Sequence, residues 1–284
     1  MIHVENLEYK YPGAKVNALK GINFDVGKGE VFGFLGPSGA GKSTTQNLLI
    51  KLLDNYDGKI EIDGKPLNTF GTEYYDRIGV GFELPNHFLK LTAYENLTFF
   101  ASLYKTETRN IDDLLKTVGL FEDKDKKVEN FSKGMKMRLN FCRALINNAE
   151  ILFLDEPTTG LDPVNAKTIK DLVIEEKNKG RTIIITTHNM QVADDLCDRV
   201  AFIVDGVIKE IDDPKELKLI HGEALVKVEY FEEDMLKTSL HDLNTLEEDE
   251  EIIRIIKGFK IKRIHSQETT LEDVFIKVTG RSLD

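Results

Sequence analysis

Residues 36 to 44 read Gly36-Pro-Ser38-Gly39-Ala40-Gly41-Lys42-Ser43-Thr44 and satisfy the phosphate-binding pattern G-x-x-x-x-G-K-[ST] at every required position. Glycines let such a loop curl so that successive amide hydrogens converge on an anion, and a following helix adds favourable potential at its N-terminus. The pattern assigns the Lys42 ammonium to the β- and γ-phosphates of a nucleoside triphosphate and the Ser43 hydroxyl to Mg²⁺. A second chemical cluster lies far downstream. Ile151-Leu-Phe-Leu154 is an apolar run ending in the carboxylates Asp155 and Glu156. The first of these is placed to hold Mg²⁺ through water and the second to act as general base or to position the attacking water.

These residues need rigid supports. Val31-Phe-Gly-Phe-Leu35 reads as a buried strand entering the loop, and Thr44–Leu53 reads as the helix leaving it. Strand patterns recur at Ile151–Leu154, Thr182–Thr186 and Val200–Val204, with a helix over Val164–Lys179. Strands alternating with helices predict an α/β fold with a mainly parallel sheet covered on both faces. Ahead of it, Ile2–Tyr11, Leu19–Val26 and Lys59–Gly64 predict an antiparallel β-subdomain. Residues from about 84 to 148 predict a helical subdomain, with helices at Tyr94–Tyr104, Ile111–Val118 and Met135–Asn147. Two domains are expected, 1–215 and 216–284. The second is a small α/β appendage with strands at Ala224–Tyr230 and Phe259–Ile264 around an acidic, helix-prone middle, and a last helix ending at Gly280.

Composition narrows the setting. The net charge of −11 is concentrated in residues 223–251, where eleven acids against two lysines give −9, so the rest of the chain carries −2. That distribution speaks against a nucleic-acid footprint on the tail. No apolar stretch approaches the ~20 residues of a membrane span. The N-terminus lacks the basic start and apolar core of a signal peptide. Two cysteines, Cys142 and Cys197, are too few and too far apart for a disulfide framework or a metal cluster. Both are expected reduced and partly buried in a cytosolic protein.

Phe131-Ser-Lys-Gly-Met135 opens a helical stretch 90 residues after Lys42 and 23 before Asp155. With it the chain resembles the ATP-binding subunits of ABC transporters over about residues 1–215; the signature of that family is usually Leu-Ser-Gly-Gly-Gln. The resemblance implies that Ser132 and the Gly134 amide contact the γ-phosphate of ATP held by a second copy. It further implies that Thr159-Gly-Leu-Asp162 crosses the dimer interface, that His188 hydrogen-bonds the γ-phosphate, and that Tyr11 stacks on adenine, although Tyr9 stands close by. Phe131, Lys133 and Met135 depart from the usual letters. Glu83 stands where the family places a glutamine that serves Mg²⁺ or water; unlike glutamine, an ionised glutamate adds charge and donates nothing. Glu83 and the segment Thr270–Gly280 are similar to the ABC-2-type exporter branch.

The resemblance implies an ATPase with ATP and Mg²⁺ as cofactors, working as a dimer, most simply of two identical chains, beneath a separate integral-membrane permease. It implies a cytoplasmic location on the inner face of the membrane. The permease is expected to dock near residues 83–105, where Phe82, Phe88, Leu89, Phe99 and Phe100 offer apolar contacts. Two rival readings are a non-transport ABC ATPase acting on nucleic acid or ribosomes, and a regulatory module that holds ATP without cleaving it. Compact spacing, one ATPase unit and the absence of heptads oppose the first; Asp155, Glu156 and His188 oppose the second.

Overall fold

The computed structural model describes residues 1–267 and 269–282. Contacts divide the chain into two compact units, Met1–Pro214 and Lys215–Arg281.

The first unit is built on a six-stranded sheet in the order Val207–Asp212, Arg199–Val204, Val31–Leu35, Thr182–Thr187, Ile151–Asp155 and Ile78–Gly81. All neighbours are parallel except the first pair, which is antiparallel. The near-continuous apolar composition of the central strands follows from burial on both faces. Alternate side chains serve different layers. Val31, Leu152, Leu154, Ile183 and Ile185 join the helices Ala93–Ala101, Ile111–Thr117 and Lys133–Leu145 through Leu97, Leu114, Leu115 and Leu139. Phe32, Phe34, Ile151, Phe153 and Ile184 face the other way, onto Leu48 and Leu49 of the helix Lys42–Leu49 and onto a four-stranded antiparallel sheet. That sheet has the order Leu19–Val26, Ile2–Tyr9, Asp57–Ile62, Lys65–Pro66.

The loop-leaving helix starts and stops earlier than Thr44–Leu53. It stops because Lys51 takes a left-handed conformation (φ 58°) one residue past the C-cap Ile50. A buried ion network ties residues of the helical layer to the sheet. Glu176, 1% exposed, accepts two hydrogen bonds from Arg109 (3.2 and 2.8 Å), one from Lys179 (2.9 Å) and an ion pair from Arg181.

The second unit has a three-stranded antiparallel sheet, Met235–Asp242, Leu225–Glu232, Lys260–Gln267, packed on the helix Glu250–Gly258 through Val226, Val228, Tyr230, Ile252 and Ile255. The acidic middle therefore holds a strand as well as a helix. Glu233 and Asp234 form a two-residue turn with positive φ at both positions (50° and 60°), and that turn pairs Glu232 with Met235. Asp249 caps the helix, accepting from the Glu251 and Ile252 amides, while its other oxygen meets His241 Nδ1 at 2.7 Å. Glu250 and Glu251 then occupy the first turn, where negative charge is favoured. Both cysteines are free, and Cys142 is wholly buried rather than partly so. Among the described residues no helix is long and apolar enough to cross a membrane.

Candidate functional site

Four strand ends of the six-stranded sheet and one helix start converge on a single cleft of about 440 Å³. Val31–Leu35 delivers the loop, whose residues Ser38, Gly39, Ala40, Gly41, Lys42, Ser43 and Thr44 line one wall. Gly36 lies just outside, where any side chain would collide with the Ile203 carbonyl, so the turn out of the strand requires glycine. Gly41 starts the helix from φ 114°.

The opposite wall carries Glu83, Asp155, Glu156 and His188. Lys42 is only 8% exposed, and its Nζ donates to the Gly36 and Pro37 carbonyls at 2.6 and 3.0 Å. Burial lowers the pKa of this ammonium, and the charges of Glu156, Asp155 and Glu83 oppose that shift. Asp155 sits level with Thr186 in the neighbouring strand and accepts a hydrogen bond from its hydroxyl. Burial pushes the Asp155 carboxyl above the usual range; the Thr186 bond pulls it back, and Glu156 and Glu83 push it further up.

Glu156 is held most tightly. It leaves the strand with φ 46°, an uncommon conformation for a side chain of this kind, and is 7% exposed. Its Oε1 accepts from the His188 amide (2.9 Å) and His188 Nδ1 (2.6 Å). Its Oε2 accepts from Thr159 Oγ1 (2.8 Å) and Thr187 Oγ1 (3.0 Å). A carboxylate only accepts, so Nδ1 carries a proton in this contact and Nε2 is the ring nitrogen left over. The sequence reading missed Thr186 and Thr187 and gave Thr159 only a place in the interface loop; the hydroxyl pair closing Thr182-Ile-Ile-Ile-Thr-Thr187 was the available signal.

Ser132, Gly134, Asp162 and Tyr11 do not line the cleft. Tyr11 touches its edge, with its hydroxyl 3.1 Å from Thr44 Oγ1 and its ring 39% exposed, whereas Tyr9 is 6% exposed in the core. Ser132 caps the helix Lys133–Leu145, its Oγ accepting from the Met135 amide at 3.2 Å. Gly134 is buried against Asn165: a Cβ on it would stand 2.8 Å from the Asn165 amide group. Asp162 caps the helix Pro163–Asn178, accepting from the Val164 and Asn165 amides, and these bonds, with that from Asn165 first, hold its pKa down.

The donors suit Mg²⁺. A hydroxyl (Ser43) and two carboxylates (Asp155, Glu83) are hard oxygen ligands in one cleft. Among the described residues, no group of three or more His, Cys, Asp or Glu side chains forms a metal cage. Mg²⁺ in nucleotide sites uses one or two carboxylates plus phosphates rather than such a cage.

Comparison with known proteins agrees with this geometry. The sequence profile of the ABC transporter family matches residues 19–159. A fluoroquinolones export ATP-binding protein of Mycobacterium tuberculosis is 51% identical over 284 residues, covering 100% of this chain and 94% of that protein. The linearmycin resistance ATP-binding protein of Bacillus subtilis is 33% identical over 100% of this chain and 99% of its own. A dimeric ATP-binding cassette in a post-hydrolysis state, bound to ADP and phosphate, superposes with a TM-score of 0.66 at 27% identity, covering 75% of this chain and 98% of that one. A phosphate-binding loop facing two strand-end acids, with relatives of this identity along nearly their whole length, means that the chain belongs to the ABC transporter family, as one of its ATP-hydrolysing ATP-binding subunits.

Proposed function

We propose that this chain powers export by a separate membrane permease through ATP-driven closure of a dimer. One observation carries the reading. The phosphate loop, Asp155, Glu156 and His188 share one cleft, while Ser132, Gly134 and Asp162 lie outside it on the same unit. A second copy turned head to tail would bring its own Ser132 segment to the open side of that cleft, so each nucleotide would be held by two chains. The relative solved as a dimer with ADP and phosphate supports this arrangement.

In the cleft, the amides of residues 38–44 and Lys42 would hold the phosphates, moving the Lys42 ammonium from its present carbonyl partners onto the nucleotide. Tyr11 would meet the adenine at the edge. Ser43, Asp155 and Glu83 would hold Mg²⁺, which supplies charge neutralisation at the phosphate oxygens. Glu156 would accept a proton from the attacking water, its orientation fixed by Thr159 and Thr187. His188 can serve Glu156 through Nδ1–H and still donate to a phosphate through Nε2 only when the ring carries both protons.

Docking of the permease is assigned to the surface holding Phe88, Leu89 and Phe99, which are 46%, 49% and 43% exposed, next to half-buried Phe82 and Phe100. An attached permease would place the chain at the cytoplasmic face of the membrane. One relative is named for fluoroquinolone export and another for linearmycin resistance, so those compounds are the first to test as cargo. The test is phosphate release by the purified chain together with recovery of a membrane protein in mild detergent. Absence of ATP turnover, alone and with a co-purifying permease, would overturn the proposal.

A further inference from the structure

Lys133 stands at the seam between the Ser132 segment, assigned to the partner's nucleotide, and the Thr159–Asp162 segment, assigned to the dimer interface. It is the first residue of the helix Lys133–Leu145, directly after the cap Ser132, and it is exposed. A cation at that end of a helix meets unfavourable potential. Nothing compensates it locally: the first turn contains no acid, and Lys133 has neither an ion pair nor a hydrogen bond among the described residues. Its ammonium lies instead over Gly160, where any side chain would collide with Nζ. Gly160 has φ 68° and belongs to the segment running from Glu156 to Asp162. The amine therefore touches the stretch that begins at the proposed base while projecting from the helix that carries Ser132.

The charge of the cleft explains what such an amine is for. Three carboxylates, Glu83, Asp155 and Glu156, line it against the single ammonium of Lys42 among the described lining residues. A bound triphosphate with Mg²⁺ adds further negative charge, and Glu83 adds one that a glutamine would not. Lys133 is a positive charge with no partner among the described residues of its own chain. We propose that Lys133 is a phosphate-binding residue acting in trans. On dimer closure its ammonium engages a terminal phosphate oxygen of the nucleotide held by the other copy, beyond the contacts of Ser132 and Gly134, and offsets the charge of that copy's Glu83. This rests on the head-to-tail dimer proposed above.

The test uses full-length protein carrying Glu156→Gln, alone and combined with Lys133→Ala or Lys133→Arg. Dimer dissociation constants are measured with ATP and with ADP by fluorescence titration across a range of NaCl concentrations. Binding of a fluorescent ATP analogue to dilute, single chains checks that each variant is folded. The expected result is that Lys133→Ala weakens the ATP dimer ~10²–10⁴-fold, the size of two lost charge-assisted hydrogen bonds, one at each nucleotide. It should also flatten the dependence on salt, while Lys133→Arg restores both. Equal dissociation constants and equal salt slopes for Lys133→Ala and its parent would overturn the role of Lys133 while leaving the dimer standing. Failure of Glu156→Gln itself to dimerise with ATP would overturn the dimer, and this inference with it.

Discussion

Replacing Glu156 by glutamine separates the proton-accepting role of this residue from its structural one. The carboxylate takes four hydrogen bonds, two from His188 at Oε1 and one each from Thr159 and Thr187 at Oε2. Glutamine can keep its oxygen toward the His188 amide and turn its amide nitrogen to the two hydroxyls, which are able to accept. Both hydroxyls then lose Oε2 as the acceptor for their own proton; half-buried Thr159 can turn its proton to water, whereas Thr187 is buried and is left with one unsatisfied donor. One such loss costs about 1 kcal/mol. For a chain of this size that amounts to a fall of roughly 2–4 °C in the unfolding temperature. Alanine, in contrast, removes the acceptor for every donor and costs about 2–4 kcal/mol. Turnover should respond in the opposite proportion: glutamine cannot take a proton, and phosphate release should slow at least ~10²-fold while ATP still binds. Calorimetric unfolding of both variants beside a phosphate-release assay reads these quantities together. Turnover by Glu156→Gln within a few-fold of the parent would remove Glu156 as the base. An unfolding temperature as low as that of Glu156→Ala would refute the hydrogen-bond accounting.

Other residues give independent checks. Glu83→Gln removes a negative charge from the cleft wall and should tighten ATP binding roughly 3–10-fold at low Mg²⁺ by titration; unchanged or weaker affinity would rule the charge argument out. Glu176→Ala strands Arg109 and Arg181 without their carboxylate and should cost about 3–5 kcal/mol in denaturant unfolding, where a loss below ~1 kcal/mol would show the network to be dispensable. His87 is held by burial at a pKa of about 4 against an ordinary 6.5, so the unfolded chain binds its proton first. Stability from this group is complete above pH ~6.5 and falls as pH drops toward ~4, by about 1.4 kcal/mol per unit. Thermal melts at stepped pH should therefore converge for the parent and His87→Gln on acidification, and parallel curves would contradict the assignment.

Much of the site was legible because its chemistry is written locally. The loop 36–44 and the strand tip Asp155-Glu156 each carry their geometry in consecutive residues, and an apolar run leads into both. The contacts that fix Glu156 were not legible: Thr187 and His188 arrive 31 and 32 residues later, at the end of a neighbouring strand and just past it, and only folding sets that strand's register. The sequence pointed to Tyr11 with Tyr9 close by, and the two differ in burial, Tyr9 lying in the core and Tyr11 being exposed. The central strands announced themselves by continuous apolar composition. Met235–Asp242 did not, because its outer positions carry exposed Leu236 and Leu240 among polar residues and its turn uses Glu233-Asp234 rather than asparagine and glycine. The partnership of Glu176 with Arg109, 67 residues away, leaves no local trace at all.

The claim that two chains share each nucleotide is tested most directly by sedimentation of the full-length Glu156→Gln variant with ATP, with ADP and without nucleotide. The account predicts the mass of two chains with ATP and of one chain in the other conditions. A single-chain mass in all three, persisting when a co-purified permease is present, would contradict it.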